Sequence, residues 1–284
     1  MPILLWSGIT TMNRIISLIL LLLPLQLFAN GKILATPGVS QVEGAAGGGL
    51  VPWAQLAGYA TEDEIAISGF CSLANVDDFR LDVCGAQLNL YDRIEFSYAE
   101  QNFDVNPLSL TLKQQIFGAK VRLYGDIVYS TWPQVSIGVQ SKTVKTFDVP
   151  TALGAKNDKG IDVYLAASKL HLGAVAGYNL LWNATLRYTE ANELGLLGFG
   201  GKEGNGSINA EVSAAVLLNK HLAVGIEYRQ KPDNLGLKED DWQDVFIAWF
   251  PNKHVNFTLA YLNLGAIATI EKQQGWYLSM TGTY

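Results

Sequence analysis

The chain is short of charge, of cysteine and, after its first residues, of long apolar runs. Only 16% of its 284 residues are Asp, Glu, Lys or Arg, against about a quarter in soluble domains, so a fully wetted surface is hard to build. Acidic residues outnumber basic ones by 26 to 20, which excludes a basic nucleic-acid binder. Two cysteines exclude a disulfide-dense scaffold, and a hydrophobic fraction of 49% excludes disorder. The sequence carries no G-x-S-x-G, no H-E-x-x-H and no phosphate loop; residues 198–202 are Gly-rich, but no Ser or Thr follows Lys202. No catalytic residue, metal site or cofactor is therefore expected. A catalytic set scattered over a barrel wall would need a histidine there, and all three histidines fall at strand ends or turns. Beyond residue 29 no stretch approaches the roughly 20 apolar residues of a spanning helix.

What is present begins with a leader. Residues 15–27 are apolar except for Ser17 and Gln26, Asn13 and Arg14 precede them, and Phe28-Ala29 follows. A positive head, an apolar middle and a small residue at the cut describe a secretory signal, with cleavage after Ala29 and Met12 as a candidate true start; the alternative is an uncleaved anchor. The rest of the chain is then exported.

After the leader the chain alternates with period two, the mark of strands with one apolar face. Leu222, Val224, Ile226 and Tyr228 alternate with Ala223, Gly225, Glu227 and Arg229; Val255, Phe257, Leu259 and Tyr261 alternate with Asn256, Thr258, Ala260 and Leu262. Twelve such segments fall near 63–74, 79–90, 93–102, 113–124, 134–142, 160–170, 179–189, 207–217, 222–230, 242–250, 255–263 and 275–284. Tight connections alternate with longer polar or Gly-rich ones, such as 141–159, 191–206 and 230–241; the short link 75–78 breaks the pattern. Segregation of loops by parity predicts an all-β fold, an antiparallel transmembrane barrel of about 12 strands with short periplasmic turns and longer extracellular loops. The expected divisions are a signal peptide over 1–29, a Gly-rich segment over 30–61 and an outer-membrane barrel over 62–284.

Asn-Lys-His occurs twice, at 219–221 and 252–254. Read as three-residue hairpin loops, these set Glu211 opposite Arg229, Val212 opposite Tyr228, and Trp249 opposite Phe257, with apolar faces in register. Such loops place their third residue in the left-handed region, which would explain His221 and His254 without chemistry.

On the strand face opposite the lipid, the expected lumen-lining charges are Arg80, Asp82, Arg93, Glu95, Lys120, Arg122, Asp162, Arg187, Glu211, Glu227, Arg229 and Asp244. This balanced set suits either a structural salt-bridge network or a solute path lined by the same groups. The Gly-rich segment, with glycines at 44 and 47–49, reads as a plug in the barrel mouth or as a flexible periplasmic lead. Cys71 and Cys84 are a candidate disulfide, which export permits. Yet Cys71 has the parity of Ile65 and Ile67, and Cys84 that of Arg80 and Asp82, so simple alternation sets them on opposite faces unless a bulge intervenes.

The strings GVSQVEGAAGGGLVPWA (38–54), LGAKNDKGIDVY (153–164), GLLGFGG (195–201), KPDNLG (231–236) and PNKH (251–254) resemble the domain-of-unknown-function family 3034 of Gram-negative proteobacteria. The resemblance implies an exported Gram-negative protein and supplies no activity. The leading expectation is a narrow outer-membrane channel or uptake protein for a small solute, with outer-membrane lipid and the barrel-assembly machinery as partners. The rivals are a barrel enzyme acting on lipid and a closed barrel with a structural or surface-binding role.

The final strand sets Trp276, Leu278, Met280 and Tyr284 on one face, ending on an aromatic, in the manner of an outer-membrane assembly signal. Deleting Tyr284 is expected to lower the yield of folded, heat-modifiable protein more than Thr283→Ala, whose side chain faces the other way. Equal yields on a gel would remove the special status of the terminus.

Overall fold

In a computed structural model, the described residues are 31–202, 204 and 206–284; the leader expected over 1–29 lies outside them. Twelve strands close in sequence order into one antiparallel barrel: β3 (Ile65–Val76), β4 (Phe79–Leu90), β5 (Ile94–Val105), β6 (Leu110–Tyr124), β7 (Gln134–Val144), β8 (Lys159–Val175), β9 (Tyr178–Thr189), β10 (Ser207–Leu217), β11 (Leu222–Arg229), β12 (Trp242–Trp249), β13 (Val255–Ile267) and β14 (Ile270–Thr283), the last pairing back onto β3. Closure leaves no unpaired strand edge, which a membrane demands. A small hairpin, β1 (Val39–Ser40) and β2 (Ala46–Gly47), is buried inside. Helix α1 (Asp148–Leu153) sits in the β7–β8 loop.

The outer wall is apolar. Phe96, Phe117, Leu186, Ile226, Val245 and Leu278 are each about half exposed or more, a surface that water would not tolerate over this extent. Aromatics pair across strands within it: Trp249 stacks on Phe257 and Tyr261 meets Trp276 edge-on, with centroids 5.5 and 5.2 Å apart. Such a belt is the lipid-facing signature of a transmembrane barrel.

Both chain ends of the barrel lie at one rim, together with the connections 91–93, 176–177, 218–221 and 250–254 and the longer 125–133. The opposite rim carries 145–158, 190–206 and 230–241, and also the short links 77–78, 106–109 and 268–269. Two connections expected to be long are thus short, because β6 and β14 begin earlier than their alternation suggests. Residues 270–275 carry Glu271, Lys272, Gln273 and Gln274, and strand pairing continues above the apolar belt without apolar alternation to mark it.

The hairpin register is Glu211↔Arg229, Val212↔Tyr228 and Trp249↔Phe257, as the two Asn-Lys-His turns require. Their closure differs from expectation. Neither His221 nor His254 has positive φ. Instead the side-chain oxygens of Asn219 and Asn252 each accept the N–H of the histidine two residues on, at 2.7 Å, an Asx turn that does the work left-handed backbone was invoked for.

Cys71 and Cys84 are register partners and form a disulfide. Both side chains face outward, so no bulge is needed. Cys84 does share its face with Arg80 and Asp82, and that face of β4 points out rather than in. Arg80 and Asp82 do not line the lumen. They point out near the loop rim, 46% and 41% exposed, and bind each other at 2.8 Å. The inward residues there are Phe79, Leu81 and Val83, so the apolar-out rule inverts at the loop end of β4. A polar pair above the lipid belt is solvated, whereas the chamber behind it is greasy.

Candidate functional site

The lumen is filled from both ends. From the turn rim, residues 35–60 thread inside the barrel and are buried throughout. This segment makes almost no regular structure of its own, and inward wall side chains take up its backbone groups. Gln87, Gln101, Gln134 and Asn89 donate to the carbonyls of Gly44, Val42, Ala54 and Ala57, each at 2.7–2.8 Å. Thr185 donates to Pro52 O at 2.8 Å, and Ser168 Oγ accepts the N–H of Ala54 at 3.0 Å. Buried backbone must find partners; here the wall supplies them. Gly48 packs against Glu227 so closely that a Cβ would lie 1.8 Å from Oε1, which explains a glycine run without a nucleotide motif.

The charges divide into groups. Lys120 donates to Ala46 O and Gln55 O at 2.9 and 2.8 Å and pairs with Glu95 at 3.3 Å. Glu95 accepts the N–H groups of Ala46 and Ala57 at 3.0 and 2.8 Å. Glu227 accepts Leu50 N–H at 2.7 Å and the Ser213 hydroxyl at 2.6 Å, with Asp244 beside it as register partner.

The largest group centres on Glu43 of the plug. Its carboxylate meets Lys142, Arg187 at 3.2 Å and Arg229 at 2.8 Å. On the wall, Asp162 binds Lys142 at 2.6 Å and Arg187 at 3.2 Å, and Glu211 binds Arg187 at 2.6 Å and Arg229 at 3.5 Å. All six side chains are 5% exposed or less. The wall alone offers three cations and two anions; Glu43 completes the balance.

Of the charges expected in the lumen, Glu95, Lys120, Asp162, Arg187, Glu211, Glu227, Arg229 and Asp244 point inward and are buried. Arg122 sits at the turn-end mouth between Asp92 and Asp126. Arg93 is an exposed turn residue rather than a lumen one, because β5 begins only at Ile94. Sequence reading missed Lys142, which shares the parity of Ser136 and Gln140 and sat at the edge of its segment, and Glu43, which lies outside any alternating stretch.

From the loop rim, residues 191–200 fold inward and are fully buried. Leu194 O accepts from Lys142 Nζ at 3.0 Å and from Gln114 at 3.2 Å. A latch holds this lid: Lys231 binds Glu193 at 2.6 Å and Glu239 at 2.8 Å. Beneath it the wall is apolar, with Phe79, Leu81, Phe103, Leu262 and Leu264 facing plug residues Val42 and Leu50. At its loop end the lumen is therefore two-sided, ionic along β7–β11 and apolar along β3–β5 and β12–β14.

Two measurements test this arrangement. Replacing Glu211 or Arg229 with Ala should each destabilise by about 3–5 kcal/mol, since a buried charge loses a partner. The double variant should cost less than the sum by roughly 0.5–3 kcal/mol, read by urea unfolding from lipid vesicles; strict additivity would refute the pairing. Burial, reinforced by the hydrogen bond and charge of Glu193, pushes the Glu239 carboxyl up to about 9. A carboxyl raised above its unfolded value stabilises the folded latch at low pH, and that contribution fades as pH rises through the folded value. Proteolysis within 190–206 should accelerate as pH rises from about 4.5, the ordinary carboxylate value, to about 9, level off above that, and lose that pH dependence in Glu239→Gln. An unchanged pH profile in the variant would contradict the latch.

Comparison with known proteins places these features in context. Residues 36–281 match the sequence family described as "Protein of unknown function (DUF3034)". No curated protein matches the chain. Among solved structures, the outer membrane protein Omp33 of Acinetobacter baumannii is similar with a TM-score of 0.48 and 8% identity, covering 79% of this chain and 100% of that one. A structure titled "KdgM porin" gives 0.46 and 10% identity over 77% and 99%, and the NanC porin 0.45 and 8% over 78% and 100%.

Proposed function

The chain belongs to DUF3034, and we propose that this member is an outer-membrane channel of a Gram-negative bacterium, held closed by its own N-terminal segment and opened for uptake of a small solute. The observation that carries this reading is the form of the closure. The plug enters from the rim that bears both chain ends, which is the periplasmic side of such barrels. It is fastened by one carboxylate, by backbone hydrogen bonds and by side chains such as Trp53 on Ser213, and no disulfide ties it to the wall. A barrel whose interior served only stability could fill its lumen with wall side chains, as small barrels do. Here a separable segment of the chain fills it.

Catalysis is not part of this reading. His171 accepts from Trp182 at 3.0 Å, and the ring nitrogens of His221 and His254 meet the carbonyls of Phe250 and Thr283; none of the three sits on the inner wall.

The test is conductance in planar bilayers. The intact protein should be silent or flicker rarely, and a variant lacking both residues 36–57 and the lid residues 191–200 should conduct steadily. Heat-modifiable migration shows that the variant has folded. A folded variant that stays silent would contradict the channel and favour a closed barrel with a structural role.

A further inference from the structure

We propose that the apolar half of the lumen is a binding chamber for a small, uncharged, largely hydrocarbon molecule bearing one hydrogen-bond acceptor. This deepens the channel reading and rests on it only for the claim that the bound molecule is the one transported.

Barrel interiors that pass ions or sugars are polar. Here the loop-end wall of β3–β5 and β12–β14 turns Phe79, Leu81, Phe103 and Leu262 inward. Between these, Val42 and Leu50 of the plug and Leu194 and Leu196 of the lid lies a cavity of about 30 Å³, too lean in polar partners to hold water. Of its lining residues only Glu193 is charged, and Lys231 neutralises it. The Tyr277 hydroxyl at the floor is engaged with Ser40 O and Ser72 Oγ at 3.2 Å. The Trp242 indole differs. It lines the same cavity and is 5% exposed, and its Nε1–H has no acceptor. A buried donor without a partner is costly and fits a ligand that brings an acceptor oxygen.

The lid provides the room and the route. Leu194 and Leu196 occupy the space that a ligand would take, and they sit on a segment that is not at rest. Glu193 and Leu194 are consecutive non-glycine residues with φ of 46° and 61°, a left-handed conformation that L side chains adopt only under constraint. The constraint is the Lys231 latch and the Lys142 and Gln114 bonds to Leu194 O. A molecule arriving from the loop rim would replace the two leucines and relieve that backbone. Its body must be apolar, since no free charge faces it, and its acceptor must reach Trp242.

Benzophenone is a suitable probe, because it is an apolar body with one carbonyl and inserts into neighbouring C–H bonds on irradiation. The full-length folded protein in lipid nanodiscs would be irradiated with it, and the adducts located by peptide mass spectrometry. Adducts are expected within 194–197, 79–81 and 262–264, competed by excess acetophenone. Trp242→Phe should lower them about fivefold, the worth of one buried neutral hydrogen bond. Ala74→Phe, which fills the chamber from the wall, should abolish them. Adducts on lipid-facing Trp276, Leu278 and Met280 should be unchanged in both, and heat-modifiable migration shows that both have folded. Labelling confined to the lipid face, or interior labelling unaffected by Ala74→Phe, would overturn the chamber; interior labelling lost in Ala74→Phe but kept in Trp242→Phe would overturn the acceptor requirement. These readouts use the closed full-length protein, so they fail or succeed independently of conductance by the plug-deleted form.

Discussion

A single carboxylate, that of Glu43, decides how the interior is built. Lys142, Arg187 and Arg229 project from three strands into a space closed to water, and Asp162 and Glu211 answer only two of the three charges. An unanswered buried cation costs several kcal/mol. The plug therefore cannot be withdrawn without leaving the wall electrostatically unbalanced, and the wall cannot be closed without the plug. The rest of residues 35–60 is fitted to the wall around that carboxylate. Glycines let the backbone pass Glu227 and the strand walls closely, and Gln, Asn, Ser and Thr side chains cap the carbonyls and N–H groups the segment leaves open.

The ionic side fixes the plug, while the apolar side leaves it adaptable. Directional ion pairs and hydrogen bonds have one good geometry; leucine and phenylalanine contacts tolerate repacking at small cost. A lumen divided in this way can hold its closure on one wall and exchange occupants against the other. The lid over 191–200 spans the division. Its Glu193 is tied to Lys231 and its carbonyl at Leu194 to Lys142, while its leucines rest on the apolar wall.

Legibility in the sequence followed the same division. Where lipid on one side and polar groups on the other enforce alternation, strand existence and register could be read, down to Glu211 opposite Arg229. It failed where the lumen itself is apolar. On β4, Phe79, Leu81 and Val83 look like a lipid face and Arg80 and Asp82 like a lumen face, and the reverse holds. Period-two patterning reports contrast between faces, not which face is inside. The plug was legible only as a glycine excess, because its wall partners lie from 32 to 241 residues away and are chosen by the closed barrel rather than by local spacing. Glu43 carries no signature at all in such a segment, and Lys142 was hidden by falling at the end of an otherwise uncharged strand.

The central claim is that Glu43 holds the plug in place, and hydrogen exchange on Glu43→Gln in lipid tests it most directly. Amides of residues 41–57 should lose most of their protection in the variant while those of β7–β11 keep theirs. Equal protection of the plug in both proteins would contradict the claim.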